Sequence, residues 1–409
     1  MKLSFNKKIQ KISFIMSLLM SSIVFYSCST KVDSQKVNFE SESATQSEDL
    51  LLLDLSIKEE QKFGGVYIEK TTDEFNDFGF VYGDSVDVIF SNGYEALDIP
   101  YYSGYYAKTG EILLAAYPGY EYIDLCINNG DSLWERGKFK NTDTVNIKLR
   151  KRGKYKKNQD LLNIKYTNNR EDYVSDEVFA NFRNVKLGNI KENILYRGAS
   201  PIDNGHKRAS YANDLMQKAN VKYDVDLSDT EKDFEKYFNA ADFKSDYFKS
   251  LYMDNKVSVT PLSMNYKSSD FGKKVAKALT DMSKNEGPYY IHCVEGKDRT
   301  GFVLAVIEGL AGATYEEIVN DYMKTYENYY GVDKIKDKEK YNAIKENCID
   351  DMLRSIADSD PYTGNGTIEL SDLDWVNIMG RYLNKNGMSD EDIFNWYEKV
   401  TSDDYSDPD

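Results

Sequence analysis

The chain has 409 residues, 41% of them hydrophobic and 13% aromatic, which is enough to bury a sizeable core in two or three domains. Its 68 acidic and 52 basic residues give a net charge of −16, which excludes a general nucleic-acid binder because neutralising phosphates requires excess lysine and arginine. It has only two histidines, His206 and His292, so a metal centre built from several histidines is excluded.

Residues 1–27 have the pattern of a secretory signal peptide. Lysines cluster at the start, and an apolar run follows from Ile12 to Tyr26. This run is shorter than the roughly 20 residues that a membrane-spanning helix needs. Cys28, which follows, resembles the lipid-acceptor cysteine of bacterial lipoproteins. The pattern predicts an exported protein that is anchored outside the cytoplasm at Cys28 or secreted; the alternatives are a plain signal peptide and an uncleaved anchor.

Two regions of different composition follow this start. Residues 28–50 are rich in Ser, Thr, Gln and Glu and predict a flexible tether. Residues 51–157 contain short alternating segments separated by turn pairs such as Asn92-Gly93, which predict a small all-β module. Its expected strands are Val86–Phe90, Ile112–Ala116, Tyr122–Ile127 and Thr144–Leu149. Its many tyrosines are strand aromatics or, alternatively, a stacking surface for a sugar or peptide.

From residue 172 to residue 409 the pattern changes to alternating strands and helices. This order is typical of an α/β domain in which helices flank a sheet, and the last helices predict a helical C-terminal cap. The expected strands are Asn193–Tyr196, Lys222–Leu227 and Pro288–His292. The expected helices are Lys207–Lys218, Phe271–Ser283, Gly301–Leu310, Tyr315–Tyr329, Lys340–Ala357, Asp372–Asn384 and Asp390–Val400.

One segment of this domain, His292-Cys-Val-Glu-Gly-Lys-Asp-Arg-Thr-Gly301, has a pattern suited to catalysis. It connects a buried strand to an apolar helix, and a loop there directs successive backbone N–H groups into one anion-binding concavity. These amides and the helix dipole lower the pKa of a thiol at Cys293, so that its thiolate is a nucleophile near neutral pH. Arg299 has the planar fork that binds two phosphate oxygens. The alternative interpretation is a buried cysteine in an ordinary strand–helix turn.

This segment resembles the phosphate-binding loop of cysteine-dependent tyrosine and dual-specificity phosphatases. Its Gly-Lys-Asp-Arg-Thr-Gly part is similar to that of bacterial atypical tyrosine phosphatases, a subgroup with dual or phosphoinositide activity. The segments Ile194–Ser200 and Val225–Asp229 support this subgroup, except that Ser228 stands where the subgroup has an arginine. The resemblance extends from about Asn181 to Tyr330 and implies an α/β phosphatase domain; the small all-β module before it and the last 80 or so residues lie outside the resemblance.

The resemblance also implies a two-step mechanism with a phosphocysteine intermediate and neither a metal nor another cofactor. Cys293 is the expected nucleophile, while Arg299 and the loop amides hold the developing charge. Asp298 is the expected general acid, or else a structural carboxylate, and Asp226 is the second candidate. Thr300 is expected to hydrogen-bond the sulfur.

A second set of residues is expected to bind substrate: Val294, Glu295, Gly296, Lys297 and Arg197. Lys297 adds a positive charge suited to a polyanionic inositol head group, whereas Glu295 opposes a second phosphate there. Arg197 donates either to substrate or only to the loop backbone. His292 is expected to order the loop rather than to carry a proton.

Three functions are compatible with these features. The first is a protein-tyrosine or dual-specificity phosphatase, and the second is a phosphatase of phosphoinositides or inositol phosphates. The third is a surface-anchored binding module whose phosphatase domain is vestigial. The expected partner is a phosphotyrosine protein or a phosphorylated inositol or lipid, with no nucleic acid, and the membrane is contacted only through an anchor at Cys28.

Overall fold

A computed structural model of the protein describes residues 50–240, 245–363 and 368–402. The first folded region contains seven strands: β1 Leu51–Glu59, β2 Val66–Ile68, β3 Ser85–Phe90, β4 Glu95–Tyr102, β5 Ile112–Ala115, β6 Ile123–Ile127 and β7 Thr144–Lys151. They close into a barrel in the order β1-β2-β6-β5-β4-β3-β7, in which β4 and β5 run parallel. Two short helices, α1 Thr72–Asp77 and α2 Leu133–Gly137, connect strands of the barrel. The expected small β module is therefore a closed barrel that also contains short helices.

Burial in the barrel alternates where its strands were predicted. In β3, Val86, Val88 and Phe90 are buried, whereas Asp87 and Ile89 between them face outward. Strands β5, β6 and β7 also lie where strands were expected. Strand β1 was not predicted, because a register shift between Leu52 and Leu55 interrupts its alternation and leaves several of its leucines exposed or half-buried.

A linker of short helices leads from the barrel into the second region. It contains α3 Lys156–Leu162, a 3₁₀ turn at Arg170–Asp172 and α4 Asp176–Phe179. Five strands then form one sheet: β8 Arg183–Asn184, β9 Leu195–Gly198, β10 Tyr223–Asp226, β11 Val257–Val259 and β12 Tyr289–His292. Their order is β11-β10-β12-β9-β8, and all neighbours are parallel except β8 and β9.

Helices cover both faces of this sheet. Those before β12 are α5 Ala209–Lys218, α6 Glu231–Phe238, α7 Asp246–Met253 and α8 Ser269–Ser283. Those after it are α9 Asp298–Leu310, α10 Tyr315–Tyr330, α11 Lys338–Asn347, α12 Ile349–Asp358, α13 Trp375–Lys385 and α14 Asp390–Val400. Tyr289 and Ile291 of β12 pack into a large core with α8, α9 and the C-terminal helices, while Tyr290 packs with α5, α6 and α7. The prediction of an α/β domain is confirmed.

One predicted helix, Lys340–Ala357, is wrong because the chain breaks it into α11 and α12. The break lies at Cys348, whose φ of −116° and ψ of −86° are not helical. In one straight helix the buried side chains of the two segments would point roughly 120° apart. The break allows Ile344 of α11 and Leu353 of α12 to enter the same core. No glycine or proline marks this position in the sequence.

The barrel and the α/β domain pack together as one unit. The hydroxyl groups of Thr109 and Tyr266 form a short hydrogen bond across the boundary, and Tyr266 also donates to Asp351 Oδ2 at 2.7 Å. Asn265 Nδ2 donates to Asp131 Oδ1 at 2.8 Å. A cleft of about 830 Å³ lies between the barrel, α3 and α11, and no residue of the cysteine-containing segment lines it.

The expected signal peptide at 1–27, Cys28 and the tether up to residue 49 lie outside the described residues. Within the part of the chain that the structure describes, no helix has both the length and the apolar character needed to cross a membrane.

The barrel tyrosines divide into two groups. Tyr101 and Tyr102 are core residues, whereas Tyr105 and Tyr120 are 44% and 57% exposed.

Candidate active site

The cysteine loop, residues 293–299, follows the carboxyl end of β12. This strand lies between β9 and β10, and all three run parallel, so the loops after them meet at one edge of the sheet. Helix α9 begins at Asp298, three residues earlier than predicted, so Asp298, Arg299 and Thr300 form its first turn. The cysteine loop therefore runs directly into a helix N-terminus, where N–H groups lack partners within the helix.

Four successive carbonyl groups of the cysteine loop accept hydrogen bonds from outside it. The pairs are Cys293 O with His292 Nδ1 (3.3 Å), Val294 O with Ser200 N (3.1 Å), Glu295 O with Tyr329 Oη (2.8 Å), and Gly296 O with Arg197 Nη2 (2.8 Å) and Asn181 Nδ2 (3.2 Å). In a trans peptide, the C=O and the following N–H point in opposite directions. The N–H groups of residues 294–297 therefore point away from these donors and into the loop, where they can bind anionic oxygens.

His292 is fully buried beneath the cysteine loop. Its Nε2 lies 3.1 Å from Asp224 Oδ1 and 3.8 Å from Asp226 Oδ2. Burial alone would lower the pKa of His292, but these two carboxylates raise it to about 10. The ring is therefore protonated at neutral pH, and its Nδ1–H donates to the carbonyl of Cys293.

Gly296 and the charges behind it support the loop backbone. Gly296 has a φ of +64°, and a Cβ there would lie 2.0 Å from the Gly198 carbonyl oxygen, so a larger residue does not fit. Arg197 is fully buried, with Nη1 2.5 Å from Asp321 Oδ2 and Nη2 on the Gly296 carbonyl. Arg183 Nε donates to the other oxygen of Asp321 at 2.8 Å. Of the two roles expected for Arg197, its contacts are those of a donor to the loop backbone.

Cys293 is 3% exposed, and the groups around it favour the thiolate. Burial alone would raise its pKa, but the Arg299 guanidinium and the hydroxyl and N–H of Thr300 lower it below its ordinary value. The buried Thr300 hydroxyl has no hydrogen-bond partner within the described residues, so it is available to the sulfur. Arg299 Nη1 donates to the carbonyls of Leu227 and Leu262 at 3.4 and 3.5 Å. These weak contacts orient the guanidinium, and among the residues that the structure describes they leave its other N–H groups available for an anion.

Three other charged side chains, Glu295, Lys297 and Asp298, precede Arg299 in the sequence. Asp298 Oδ1 accepts from Tyr322 Oη at 3.0 Å, and its side chain is 28% exposed. Lys297 Nζ lies 3.7 Å from Asp298 Oδ2 and 3.4 Å from Glu295 Oε2. It also donates to Tyr330 Oη at 3.3 Å. Asp298 thus combines partial exposure with a fixed position at the start of α9.

Asp226 lies at the end of β10 and is fully buried. Its Oδ1 accepts from the backbone N–H groups of Ser228 and Asp229 at 2.8 and 3.0 Å, and from Ser228 Oγ at 3.0 Å. These bonds hold the turn that carries the Leu227 carbonyl. The neighbouring Asp229 was not identified from the sequence; burial and the Asp226 carboxylate raise its pKa to about 7. The catalytic role of Asp226 stays a prediction.

Several residues that hold the cysteine loop have no recognisable motif. Tyr329 and Asp321 belong to α10. Their spacing places them on the helix face that also carries the core residues, so the sequence does not distinguish them from residues that only pack. Asn181 lies before the sheet and is fully buried. Within the described residues, no group of three or more His, Cys, Asp or Glu side chains could hold a metal ion. The support of the loop is therefore built from distant polar side chains.

The lowered pKa of Cys293 has a measurable consequence for alkylation. The rate of its reaction with iodoacetamide is expected to rise through a midpoint below about 8.5, the ordinary thiol value. Arg299→Met removes the cation that stabilises the thiolate, so this midpoint is expected to rise. Mass spectrometry of the Cys293 peptide gives the rate at each pH. Arg150→Met, which breaks an exposed ion pair on the barrel, is the control, and an equal midpoint in both variants contradicts the assignment.

One of the comparisons with known proteins identifies a family. A search among curated proteins found no match. A solved structure of an uncharacterized conserved protein from Thermotoga maritima is 20% identical over 24% of this chain and 35% of its own, with a TM-score of 0.20. The chain therefore spans about a third of that protein's length. A family model described as the tyrosine phosphatase family matches residues 178–402, more than half of the 409-residue chain and including the whole cysteine loop. The chain belongs to the tyrosine phosphatase family.

Proposed function

We propose that the chain hydrolyses phosphomonoesters through a phosphocysteine intermediate. The Cys293 thiolate attacks phosphorus, a sulfur–phosphorus bond forms, and the bond from phosphorus to the leaving oxygen breaks. Water then attacks the intermediate, inorganic phosphate leaves, and the thiolate forms again. The observation that supports this most directly is the orientation of the cysteine loop, whose four outward carbonyls turn the N–H groups of residues 294–297 inward.

Three side chains complete the proposed reaction. Arg299 binds two oxygens of the transferring group and stabilises the charge that develops on them. Asp298 gives a proton to the leaving oxygen in the first step and accepts one from water in the second. The Thr300 hydroxyl donates to the sulfur and so helps the thiolate to leave the intermediate. His292 is buried and holds the loop without transferring a proton.

Phosphotyrosine in proteins, alone or with other phosphorylated side chains, is the proposed substrate. The formal charges of Glu295, Lys297, Asp298 and Arg299 sum to zero. Of the two cations, Lys297 lies close to two carboxylates, whereas Arg299 forms no ion pair with a carboxylate within the described residues. A site of this kind suits one phosphate group. The second candidate is a phosphoinositide or inositol phosphate, and Lys297 in the same loop favours it.

We also propose that the protein acts after export, either anchored at Cys28 or secreted. The lysine-rich start and the apolar run to Tyr26 support this location.

A side-by-side assay of the full chain tests the proposal. It measures the release of phosphate from a phosphotyrosine peptide, a phosphoserine peptide and inositol phosphates. The phosphotyrosine peptide is expected to have the highest kcat/KM. Activity is expected to survive EDTA and to be inhibited by vanadate, which mimics five-coordinate phosphorus. Loss of activity in EDTA that added metal restores contradicts the cysteine mechanism. A preference for inositol phosphates favours the second candidate, and no release from any substrate favours a vestigial domain.

A further inference from the structure

Tyr166 belongs to the linker between the barrel and the α/β domain, before the family match begins at residue 178. Its hydroxyl donates a short hydrogen bond to Glu295 Oε1 and lies 3.2 Å from His206 Nδ1. Its ring packs on Tyr329 and Tyr330, with centroids 5.6 and 5.3 Å away. A side chain from outside the family domain therefore contacts the cysteine loop.

Arg208 fixes the linker directly after this contact. It is 1% exposed, and its guanidinium carbon lies 4.7 Å from the centre of the Tyr166 ring. Arg208 Nη2 donates to the Thr167 carbonyl at 3.2 Å, and Nη1 donates to Asn168 Oδ1 at 2.9 Å. Because the backbone beside Tyr166 is held in this way, the fold sets the position of its hydroxyl.

Glu295 lies between Tyr166 and Lys297. Its Oε1 accepts from Tyr166, and its Oε2 is 3.4 Å from Lys297 Nζ. Burial alone would raise the pKa of Glu295, but the Lys297 ammonium and the Tyr166 hydroxyl lower it below its ordinary value. Glu295 is therefore ionised at neutral pH. Asp298 Oδ2 lies 3.7 Å from the same Lys297 Nζ, so two carboxylates neutralise the positive charge of Lys297.

We propose that Tyr166 and Glu295 determine specificity by excluding substrates that carry a second phosphate beside the one being hydrolysed. This inference rests on the proposed phosphatase function. A second phosphate attracted to Lys297 meets the Glu295 carboxylate, which Tyr166 holds in place. Across a few ångströms of partly solvated space, one carboxylate lowers the binding of a phosphate dianion by about tenfold.

Glu295→Gln tests this role because it removes the charge, keeps the size and still accepts a hydrogen bond from Tyr166. The ratio of kcat/KM for an inositol bisphosphate with adjacent phosphates to that for a phosphotyrosine peptide is expected to rise about tenfold, mainly through KM. The gain is expected to shrink at high salt, because ions screen the repulsion that the variant relieves. Tyr166→Phe, which removes only the hydroxyl, is expected to change the ratio in the same direction by less.

Tyr155→Phe is the matched control. Tyr155 Oη donates to the Asp98 carbonyl at 2.7 Å beside the barrel and has no bond to the cysteine loop, so the ratio should stay at the wild-type value. An unchanged ratio in both Glu295→Gln and Tyr166→Phe, with phosphotyrosine hydrolysis intact, overturns the specificity role but leaves the phosphatase proposal standing. A wild-type preference for the bisphosphate also overturns it. If the wild-type chain hydrolyses neither substrate, both proposals fail.

Discussion

Cys293→Ser is expected to reduce turnover of p-nitrophenyl phosphate by at least about 10⁴-fold. The groups around Cys293 stabilise a thiolate, and a serine hydroxyl in the same place stays protonated and is a far poorer nucleophile near neutral pH. The loop amides and Arg299 remain in the variant. Binding of a phosphate analogue such as tungstate, measured by calorimetry, is therefore expected to persist while phosphate release stops.

Cys126→Ser is the control for this experiment. Cys126 is a buried free thiol in the barrel strand β6, so the same change of sulfur to oxygen is made away from the cysteine loop. Its turnover is expected to match that of the wild-type chain. Activity close to wild type in Cys293→Ser contradicts the cysteine mechanism, whereas equal loss in both variants indicates a general effect on folding.

Asp298→Asn is expected to slow hydrolysis of a phosphotyrosine peptide by about 10²-fold, with a clearly smaller loss for p-nitrophenyl phosphate. A general acid matters most when the leaving oxygen is basic, and p-nitrophenolate departs almost unaided. A carboxylate that only positions the loop affects both substrates equally. The asparagine can still accept from Tyr322, so the start of α9 keeps this contact. Steady-state kinetics with a series of aryl phosphates of increasing leaving-group pKa measure the difference.

Asp226→Asn and Asp229→Asn provide the comparison for this result. Asp226 is fully buried and holds the turn after β10, so its variant is expected to lower the thermal midpoint and to slow all substrates alike. Asp229 is 5% exposed. A steep dependence on the leaving group in either variant, with equal losses on all substrates for Asp298→Asn, transfers the acid role to that residue.

Local sequence was sufficient to predict the elements on either side of the cysteine loop. The apolar strand before His292 and the apolar helix after Thr300 predict the strand–loop–helix unit, and the spacing of Cys293 and Arg299 within it is a local property. The helix start at Asp298 was missed by three residues, because no capping side chain marks it. Lys297 occupies the cap position, and its side chain accepts no hydrogen bond from the first N–H groups of the helix.

The groups that hold the cysteine loop could not be predicted in this way. Asn181 and Tyr329 lie far from the loop in the chain and reach it only because β8 and β9 pair next to β12 and α10 packs against α9. A tyrosine in a helix or a linker has the same local pattern whether it packs in a core or bonds a carboxylate. Tyr166 is an example: its neighbours predict neither its partial burial nor its contact with Glu295.

The contacts of Arg208 and Tyr266 bear on how the chain can be divided. A fragment that starts at residue 178 contains the whole family match but lacks Thr167 and Asn168, so the buried guanidinium of Arg208 loses two acceptors. The same cut removes Thr109 from the hydroxyl of Tyr266. The stretch that the family model matches and the stretch that keeps Cys293 in its native surroundings thus have different boundaries. The second extends back through the linker into the barrel.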